Sequence, residues 1–525
     1  MSASANLILT IDLGTSGPKV SVFDSRAQMI DYDFADVPLL LIGEDGKEQR
    51  PSDWIDAIRK CYKTIQQRGK FDPKDIIALN ITSQWSGTVA VDEKGEPLMN
   101  SIIWMDSRGA EYAQKLMHSP INIDGYGLRK TIKWIRLTGG PPSPSGKDSI
   151  SHILYIQNKL PEIYKKTYKF LEPKDYLNLY FTGIMAASFD SITVHWITDN
   201  RDINNIKYSD DLIKLTGVDK AKLPDLIPAN SLLGTIKKEI AAEFGLRDDV
   251  KVISGTPDTH SGAVGSGAVK DFEPHLYIGT SSWLICHAPW KKTDVLHQMA
   301  TIPSGLPGKY MLVNEQETTG ACLNFIKNNI FYHEDELGTE KAPADFYKRM
   351  DKVVEKVPAG SNGVIFTPWL NGERSPVDDH HARGGFYNLS LNSNRGHMLR
   401  AVFEGIACNN RWLLTYAEKL CGKQFEAINF IGGGANSDVW CQILADVFDR
   451  PVKQMKQPLN ANSRGAAFLA LISLGLMKIE DVSALAEVNN VYQPNAANRK
   501  LYDELFSRYV QIYQTNKSLF KRWSK

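Results

Sequence analysis

VISGTPDTHSGAVGSGAV, Val252 to Val269, is the stretch around which the rest of the chain is organised. It begins with β-branched residues, turns through Ser254–Pro257, and continues in small residues whose spacing predicts a tightly packed helix. Asp258 stands where the turn enters that helix. A carboxylate there either caps the helix N-terminus or ends a buried strand and faces a ligand in a cleft. This stretch alone leaves both interpretations open.

A second informative turn lies near the start of the chain. Leu7–Asp12 predicts an apolar strand that ends in an aspartate, and DLGTSGPKV leads from it into a strand at Val20–Asp24 and a third at Met29–Ala35. The hydroxyls and amides of such a turn can hold phosphate oxygens. Similar turns also join ordinary hairpins, so the motif by itself is weak.

Two further segments have the composition of a polyol site. Ile76–Thr82 predicts a strand that runs into SQWSG, residues 83–87. IIWMDSRG, Ile102–Gly109, predicts a strand that ends in Trp104, Asp106 and Arg108. Sugar hydroxyls need both donors and acceptors, which such a mixture provides. A packed tryptophan beside a surface Asp–Arg pair explains the same residues equally well.

Composition excludes several functions. The chain has 525 residues, enough for two or three domains, and a net charge of +1 from 61 basic and 60 acidic residues. This balance gives no electrostatic reason to expect nucleic acid or an anionic membrane as partner. The six cysteines are scattered without a CxxC pair, and the N-terminus has no signal-peptide pattern, so we expect a cytoplasmic protein with reduced thiols.

Two common nucleotide-binding motifs are absent. GGPPSPSGK, residues 139–147, resembles a P-loop, but its glycine spacing is wrong and Asp148 stands where a magnesium-binding Ser or Thr is needed. The chain also has no GxGxxG after a strand. We therefore expect neither a P-loop nor a Rossmann nucleotide site.

The second half of the chain repeats the first. HLYIGTSSWLIC, His275–Cys286, has the same strand–turn–strand pattern as LILTIDLGTSGPKVSV. AINFIGGGANSDVWCQILADV, Ala427–Val447, has the strand–turn–helix pattern of the stretch at Asp258, with Asn436 in register with Asp258. Two paired repeats in one order predict a duplicated domain with a shared cleft.

Taken together, these motifs resemble the FGGY carbohydrate kinase family and its xylulokinase-like members. The resemblance runs nearly end to end and rests on DLGTSGPKV, WMDSR, FLEPKDYL, GTPDTHSGAVGSGA, IGTSS, GERSPVDDHHARGGFYNLS, HMLRAVFEGIA and GGGANSDVW. It implies an α/β fold of two actin-like, ribonuclease-H-like domains around a central cleft. We place them at residues 1–270, which bind the sugar and carry the catalytic aspartate, and 271–525, which bind ATP.

The resemblance also assigns roles to residues. Asp258 matches the catalytic base and Asp12 the acid that holds Mg²⁺, so both are candidate metal ligands. Thr15 and Lys19 match positions near the transferring phosphoryl group. The candidate nucleotide-binding residues are Gly14, Thr15, Ser16, Gly279, Thr280, Ser281, Gly433, Gly434 and Asn436. The candidate substrate-binding residues are Gln84, Trp85, Ser86, Trp104, Asp106, Asp258 and Thr259.

The implied function is ATP-dependent phosphorylation of a sugar or polyol, most simply a ketopentose such as xylulose. The chain has Trp85-Ser86 where many family members have Met-His, which puts xylulose in question and keeps ribulose, glycerol and gluconate open. A non-catalytic sugar-binding homologue is a further alternative, and an actin-like or chaperone-like ATPase fits less well. ATP and Mg²⁺ are the implied cofactors, and family members are often homodimers. In this family the segment with His380 and His381 is a structural turn, not a metal site.

Overall fold

The computed structural model describes residues 6–123 and 126–523. The chain forms two large mixed sheets, one in each half, with helices packed around them. The first sheet has the strand order β5-β6-β4-β1-β2-β3. Its strands are β1 (Leu7–Gly14), β2 (Gly17–Phe23), β3 (Met29–Phe34), β4 (Ile76–Ser83), β5 (Leu232–Thr235) and β6 (Lys251–Pro257).

The second sheet has the order β9-β10-β11-β8-β7-β12-β13-β14. Its strands are β7 (Pro274–Ile278), β8 (Ser282–Ala288), β9 (Thr293–Asp294), β10 (Met299–Pro303), β11 (Tyr310–Val313), β12 (Ile428–Ile431), β13 (Val452–Met455) and β14 (Val488–Tyr492). In each half an antiparallel hairpin, β1–β2 or β7–β8, lies beside two parallel strands.

The two sheets share one topology. Six strands of the first sheet, read from β3 to β5, correspond in position and direction to β11, β8, β7, β12, β13 and β14. The predicted duplication is therefore present.

One part of the predicted repeat is wrong. The strand before the glycine-rich turn of the second half, β12, pairs with β7 as β4 pairs with β1. It therefore corresponds to the strand that ends at SQWSG, and the counterpart of β6 is β13. Asn436 is not the counterpart of Asp258, because local sequence similarity does not reveal the order of strands in a sheet.

The helix predicted after the turn at Asp258 and the helix of the Ala427–Val447 repeat are both present. Those used below are α1 (Pro51–Gln67), α2 (Asp258–Gly265), α3 (Arg395–Cys421), α4 (Asp438–Phe448), α5 (Ala461–Ser473) and α6 (Arg499–Trp523). Others are Ala110–Met117, Leu128–Leu137, Ser149–Lys159, Pro161–Lys166, Pro173–Thr182, Asp210–Thr216, Lys238–Glu243, Gly320–Phe325, Phe346–Glu355 and Ile479–Leu485.

Smaller strands surround the first sheet, and one of them corrects a prediction. Leu40–Ile42, Gly46–Gln49 and Ser101–Ile102 form a three-stranded sheet. The strand predicted over Ile102–Gly109 ends at Ile102, and the chain then turns through Trp104 towards the helix Ala110–Met117. The turn places the Trp104 indole beside Thr15 in the β1–β2 hairpin turn.

Helices α2 and α5 cross at the boundary between the halves. Both are buried, and a cluster of apolar side chains from both halves surrounds them, including Ile8, Val264, Ile431 and Phe468. A Cβ atom on Gly265 would lie 1.8 Å from the Ala461 carbonyl oxygen, and a Cβ on Gly465 would lie 1.9 Å from the Ser261 carbonyl oxygen. The two backbones therefore touch at Gly265 and Gly465, which occupy equivalent positions in the two halves.

Candidate functional site

Asp258 is the first residue of α2 and follows directly on β6. Its Oδ1 accepts a hydrogen bond of 2.7 Å from the Thr259 amide. Desolvation in the cleft and, after it, the nearby Asp12 carboxylate raise the pKa of Asp258 to about 7. Asp258 thus lies at a helix N-terminus within electrostatic range of a second acid, and its contact with a ligand stays a prediction.

Asp12 lies near the end of β1 and is 8% exposed. Burial raises the pKa of its carboxyl group, while Lys19 and the side chains of Asn462 and Ser463 favour the charged form. The last two belong to the first turn of α5, so Asp12 faces the N-terminus of a helix from the other half. Each of the two carboxylates therefore lies at a helix N-terminus, where the helix dipole favours negative charge.

Lys19 bridges the two halves. It is directly opposite Asp12 in the β1–β2 hairpin, and its Nζ donates a 2.6 Å hydrogen bond to the Leu459 carbonyl oxygen. The structure thus brings Lys19 to Asp12 and holds its ammonium group at the chain segment before α5. The place of Lys19 near the transferring phosphoryl group stays a prediction.

Thr15 joins two of the predicted sugar segments. Its hydroxyl donates to Gln84 Oε1 at 3.1 Å and accepts from Trp104 Nε1 at 2.9 Å. Gln49 Nε2 donates to the Thr15 carbonyl oxygen at 2.7 Å, and Gln84 Nε2 donates to Gln49 Oε1 at 2.8 Å. Trp54 Nε1 also donates to Gln49 Oε1, at 3.1 Å. Thr15, Gln84 and Trp104 therefore form one network, and the polar atoms of the buried Gln84 side chain contact protein partners.

Gly14, Ser16 and Gly17 are the remaining residues of the hairpin turn. Gly14 pairs with Gly17 at the end of the hairpin, and Ser16 is exposed, with its carbonyl oxygen accepting the Val37 amide at 2.8 Å. A Cβ on Gly17 would lie 2.0 Å from the Ala35 carbonyl oxygen, so only glycine fits there.

Trp85 is fixed in orientation. Its Nε1 donates to the Ser191 carbonyl oxygen at 2.8 Å, and its ring meets the His260 ring edge-on, with centroids 5.0 Å apart. Ser86 follows with φ +57°, a left-handed conformation that turns the chain back towards Gly87. The indole nitrogen is therefore occupied, and the half-buried ring offers a sugar mainly an apolar surface.

Thr259 and His260 connect Asp258 to the second half. The Thr259 hydroxyl and His260 Nδ1 are 3.1 Å apart, and His260 Nε2 lies 3.1 Å from the Pro303 carbonyl oxygen on β10. With Nε2 protonated, His260 donates to Pro303 and its Nδ1 accepts the Thr259 hydroxyl proton. Burial lowers the pKa of His260, which agrees with a neutral ring.

Asp106 is buried and its carboxylate is occupied. Oδ2 accepts from the Lys47 amide at 2.8 Å and from Arg108 Nη2 at 2.7 Å, while Oδ1 accepts from the Arg108 amide at 2.9 Å. Arg108 Nη2 also binds Glu48 at 2.6 Å. With these partners, Asp106 fixes the loop that carries Trp104. A direct contact between Asp106 and a sugar stays a prediction.

The predicted nucleotide-binding residues of the second half lie on two neighbouring turns of the second sheet. Gly279–Ser281 joins β7 to β8, and the carbonyl oxygens of Gly279 and Thr280 accept the amides of residues 319–321. Gly433–Asn436 forms a short 3₁₀ turn after β12, just before α4. Gly432 has φ +87°, and a Cβ there would lie 2.6 Å from the Ile278 carbonyl oxygen, so the two turns are in contact. Gly433 and Asn436 are exposed and Gly434 is half-buried.

Sequence reasoning missed two residues of this site. Gln49, at the centre of the Thr15 network, lies outside every motif, and nothing in its local sequence marks it. Tyr277 precedes the Gly279 turn, and its ring stacks on Trp283 with centroids 4.0 Å apart and planes at 7°. The internal repeat could have found it, because Tyr277 stands two residues before the turn, as Asp12 does in the first half.

Two features are absent from the described residues. Over residues 6–123 and 126–523, no group of three or more His, Cys, Asp and Glu side chains is placed to hold a metal ion. In the same part of the chain, no helix combines the length and apolar character that crossing a membrane requires.

Known proteins match this chain over nearly its whole length. The model of the FGGY family of carbohydrate kinases, N-terminal domain, matches residues 7–265, and that of the C-terminal domain matches residues 276–474. A xylulose kinase of Staphylococcus epidermidis is 28% identical over 98% of this chain and 97% of its own length.

Solved structures agree with the family models. The crystal structure of a gluconate kinase from Lactobacillus acidophilus has a TM-score of 0.86 at 25% identity and covers 99% of this chain and 100% of the other. A ligand-bound xylulose kinase from the same organism has a TM-score of 0.85 at 25% identity, with the same coverage. These matches confirm the predicted two-domain, actin-like α/β fold and the predicted enzyme class. The chain belongs to the FGGY family of carbohydrate kinases.

Proposed function

We propose that this carbohydrate kinase phosphorylates a ketopentose such as xylulose, with Asp258 as the general base. The observation that carries the proposal is the position of Asp258, at a helix N-terminus and opposite Asp12, where its pKa is about 7. A base works best when its pKa lies near the working pH. The similarity to xylulose kinases over nearly the full length supports the choice of sugar.

In the proposed step, a sugar hydroxyl oxygen attacks the γ-phosphorus of ATP. The new oxygen–phosphorus bond forms as the bond between the γ-phosphorus and the bridging oxygen of ADP breaks, and the hydroxyl proton passes to the Asp258 carboxylate. ADP leaves with the bonding electron pair. Because phosphoryl transfer depends mainly on positioning and charge, the remaining residues hold the reactants and exclude water.

The residues present fit Mg²⁺. Besides desolvation, the charge of Asp12 raises the pKa of Asp258, so the two carboxylates interact electrostatically. Two carboxylates in a shared cleft supply hard oxygen ligands, and Mg²⁺ usually takes one or two carboxylates together with water and substrate phosphates. We assign Asp12, with Asp258 beside it, to this ion. Bound there, it would neutralise phosphate charge.

We assign the sugar to residues 1–270 and the nucleotide to residues 271–525. Trp104 donates to Thr15, and the Trp85 ring meets His260, two residues after Asp258, so these candidate sugar residues and the proposed base lie on the same half. The turns Gly279–Ser281 and Gly433–Asn436 contact each other on the second half and are open enough to accept phosphates and adenosine. Lys19 lies between the two groups.

The substrate is tested by an assay of ADP release with ATP and Mg²⁺. The panel contains both enantiomers of xylulose and ribulose, glycerol and gluconate. Turnover highest with a ketopentose supports the proposal. Turnover highest with gluconate would replace it, and the similarity to a gluconate kinase makes that the strongest alternative. ATP hydrolysis without turnover of any of these compounds would mean that Trp85 has shifted the pocket to another sugar.

The raised pKa of Asp258 predicts a pH dependence. The base must be ionised, so kcat/KM for the sugar, which reports the free enzyme, should fall as pH decreases through about 7. Below that value the ionised fraction, and with it kcat/KM, falls roughly tenfold per pH unit. Circular dichroism over the same range separates this effect from unfolding. A kcat/KM that stays level through this range would contradict the assignment.

The Thr15 network predicts an effect on sugar binding. Thr15→Val removes the acceptor for Trp104 and the donor for Gln84, so Trp104 loses its fixed orientation. We expect the KM for the sugar to rise about tenfold, the usual size for one or two lost hydrogen bonds. Thr15→Ser keeps the hydroxyl and is the control. An equal loss in both variants would mean that the threonine methyl group, and not the network, is needed.

A further inference from the structure

Tyr277 occupies in the second half the position that Asp12 occupies in the first. Asp12-Leu13-Gly14-Thr15-Ser16 and Tyr277-Ile278-Gly279-Thr280-Ser281 run through equivalent hairpins of equivalent sheets. Asp12 is directly opposite Lys19 across its hairpin, and Tyr277 is directly opposite Trp283. The two halves therefore present a carboxylate and a phenol at corresponding points of the cleft.

The Tyr277 side chain lies against both nucleotide turns. A Cβ on Gly279 would be 2.5 Å from the Tyr277 hydroxyl oxygen, and a Cβ on Gly432 would be 3.0 Å from its Cδ2. Stacking on Trp283 holds the ring in place, and Trp283 Nε1 is itself fixed by a 3.2 Å hydrogen bond to His275 Nε2. The hydroxyl thus lies over the Gly279 turn in a fixed orientation.

The charge around Tyr277 keeps its proton in place. Burial raises the pKa of the phenol to about 12, and the Asp258 and Asp12 carboxylates add to the effect. The hydroxyl is therefore a hydrogen-bond donor at every pH at which the enzyme works, and it lies within electrostatic range of both carboxylates. Within residues 6–123 and 126–523 it makes no hydrogen bond.

We propose that the Tyr277 hydroxyl donates a hydrogen bond to a γ-phosphate oxygen of the nucleotide bound at Gly279–Ser281. The inference rests on the proposed placement of the nucleotide. The fixed ring directs one neutral donor over the Gly279 turn, within electrostatic range of Asp12 and Asp258. A third carboxylate at this position would repel the phosphates, whereas a phenol stabilises their charge without adding any. No proton is transferred, and Asp258 remains the base.

The test compares two ligands that differ at the γ-phosphate. Calorimetry with Mg²⁺ gives the Kd of the enzyme for ADP and for a non-hydrolysable ATP analogue. Tyr277→Phe keeps the stacked ring and removes the hydroxyl. We expect the analogue to bind about 10- to 100-fold more weakly, as for a lost hydrogen bond to a charged group, while the Kd for ADP is unchanged. Trp283→Phe keeps the Tyr277 hydroxyl and an aromatic ring beside it. In this control the ratio of the two Kd values should stay at the wild-type value.

Two outcomes would overturn the proposal: both Kd values stay at the wild-type value in Tyr277→Phe, or ADP and the analogue lose affinity equally. Because the readout is binding, it does not depend on which sugar is used. If no ketopentose is phosphorylated but only the analogue binds more weakly, the proposed substrate is wrong and the role of Tyr277 stands. If a ketopentose is phosphorylated and either overturning outcome is found, the reverse holds.

Discussion

Asp258→Asn is expected to lower kcat by about 100- to 10,000-fold, the usual contribution of a general base. The amide has nearly the shape of the carboxylate but cannot accept the hydroxyl proton. It also removes the repulsion from Asp12, which contributes to the raised pKa of Asp258. Binding of sugar and nucleotide should therefore persist, and the loss should appear in kcat with little change in KM.

The measurement is steady-state ADP release with the preferred sugar, together with thermal unfolding to show that the variant folds. Asp210→Asn is the matched control, because Asp210 also begins a helix, Asp210–Thr216, but lies on the surface. The control should have wild-type kcat. A kcat for Asp258→Asn that also stays near the wild-type value would show that another group accepts the proton.

Gly265→Ala is expected to produce the largest loss of stability. The added methyl group would lie 1.8 Å from the Ala461 carbonyl oxygen and 2.8 Å from the Gly465 amide nitrogen, both of which are backbone atoms that cannot rotate away. Helices α2 and α5 must move apart, which disturbs the apolar cluster around them and the 2.8 Å hydrogen bond from Arg464 Nε to the Gly265 carbonyl oxygen. We expect the free energy of unfolding to fall by about 3 kcal/mol, the upper end of the usual range for overpacked cores.

Such a change lowers Tm by about 3 °C if the 525 residues unfold as one cooperative unit. Thermal unfolding measures it, and Gly465→Ala should give a similar decrease because its Cβ would meet the Ser261 carbonyl oxygen at 1.9 Å. Gly338→Ala is the control, since no atom lies within 4 Å of a Cβ there. If Gly265→Ala unfolds at the temperature of this control, the helices do not touch as described.

The hairpin at Asp12 and the helix that begins at Asp258 are predictable from sequence, because strand patterns and glycine-rich turns are local signals. The duplication is predictable for the same reason. The order of the strands in each sheet is not predictable in this way. Local sequence similarity therefore matches the turn after β12 to the wrong strand of the first half. That order is set by contacts between residues far apart in the chain.

The roles of Gln84 and Asp106 show the same limit at the level of single side chains. Both have the chemistry of sugar ligands, but Gln84 bonds to Gln49 and Thr15, and Asp106 to Arg108 and the Lys47 amide. Gln49 lies 35 residues from Gln84 in sequence, and Lys47 lies 59 residues from Asp106. Both belong to the strand Gly46–Gln49. Residue type predicts what a side chain can bind, whereas its long-range neighbours decide whether it is free to do so.

The glycine contact between α2 and α5 also determines how far each part of the cleft can travel. A rotation of one half against the other about this contact displaces an atom in proportion to its distance from the pivot. Asp258 begins the helix that ends at Gly265, so it lies only about 10 Å from the pivot at 1.5 Å per residue. A rotation of the halves about this contact would therefore move Asp258 less than any atom that lies farther from Gly265.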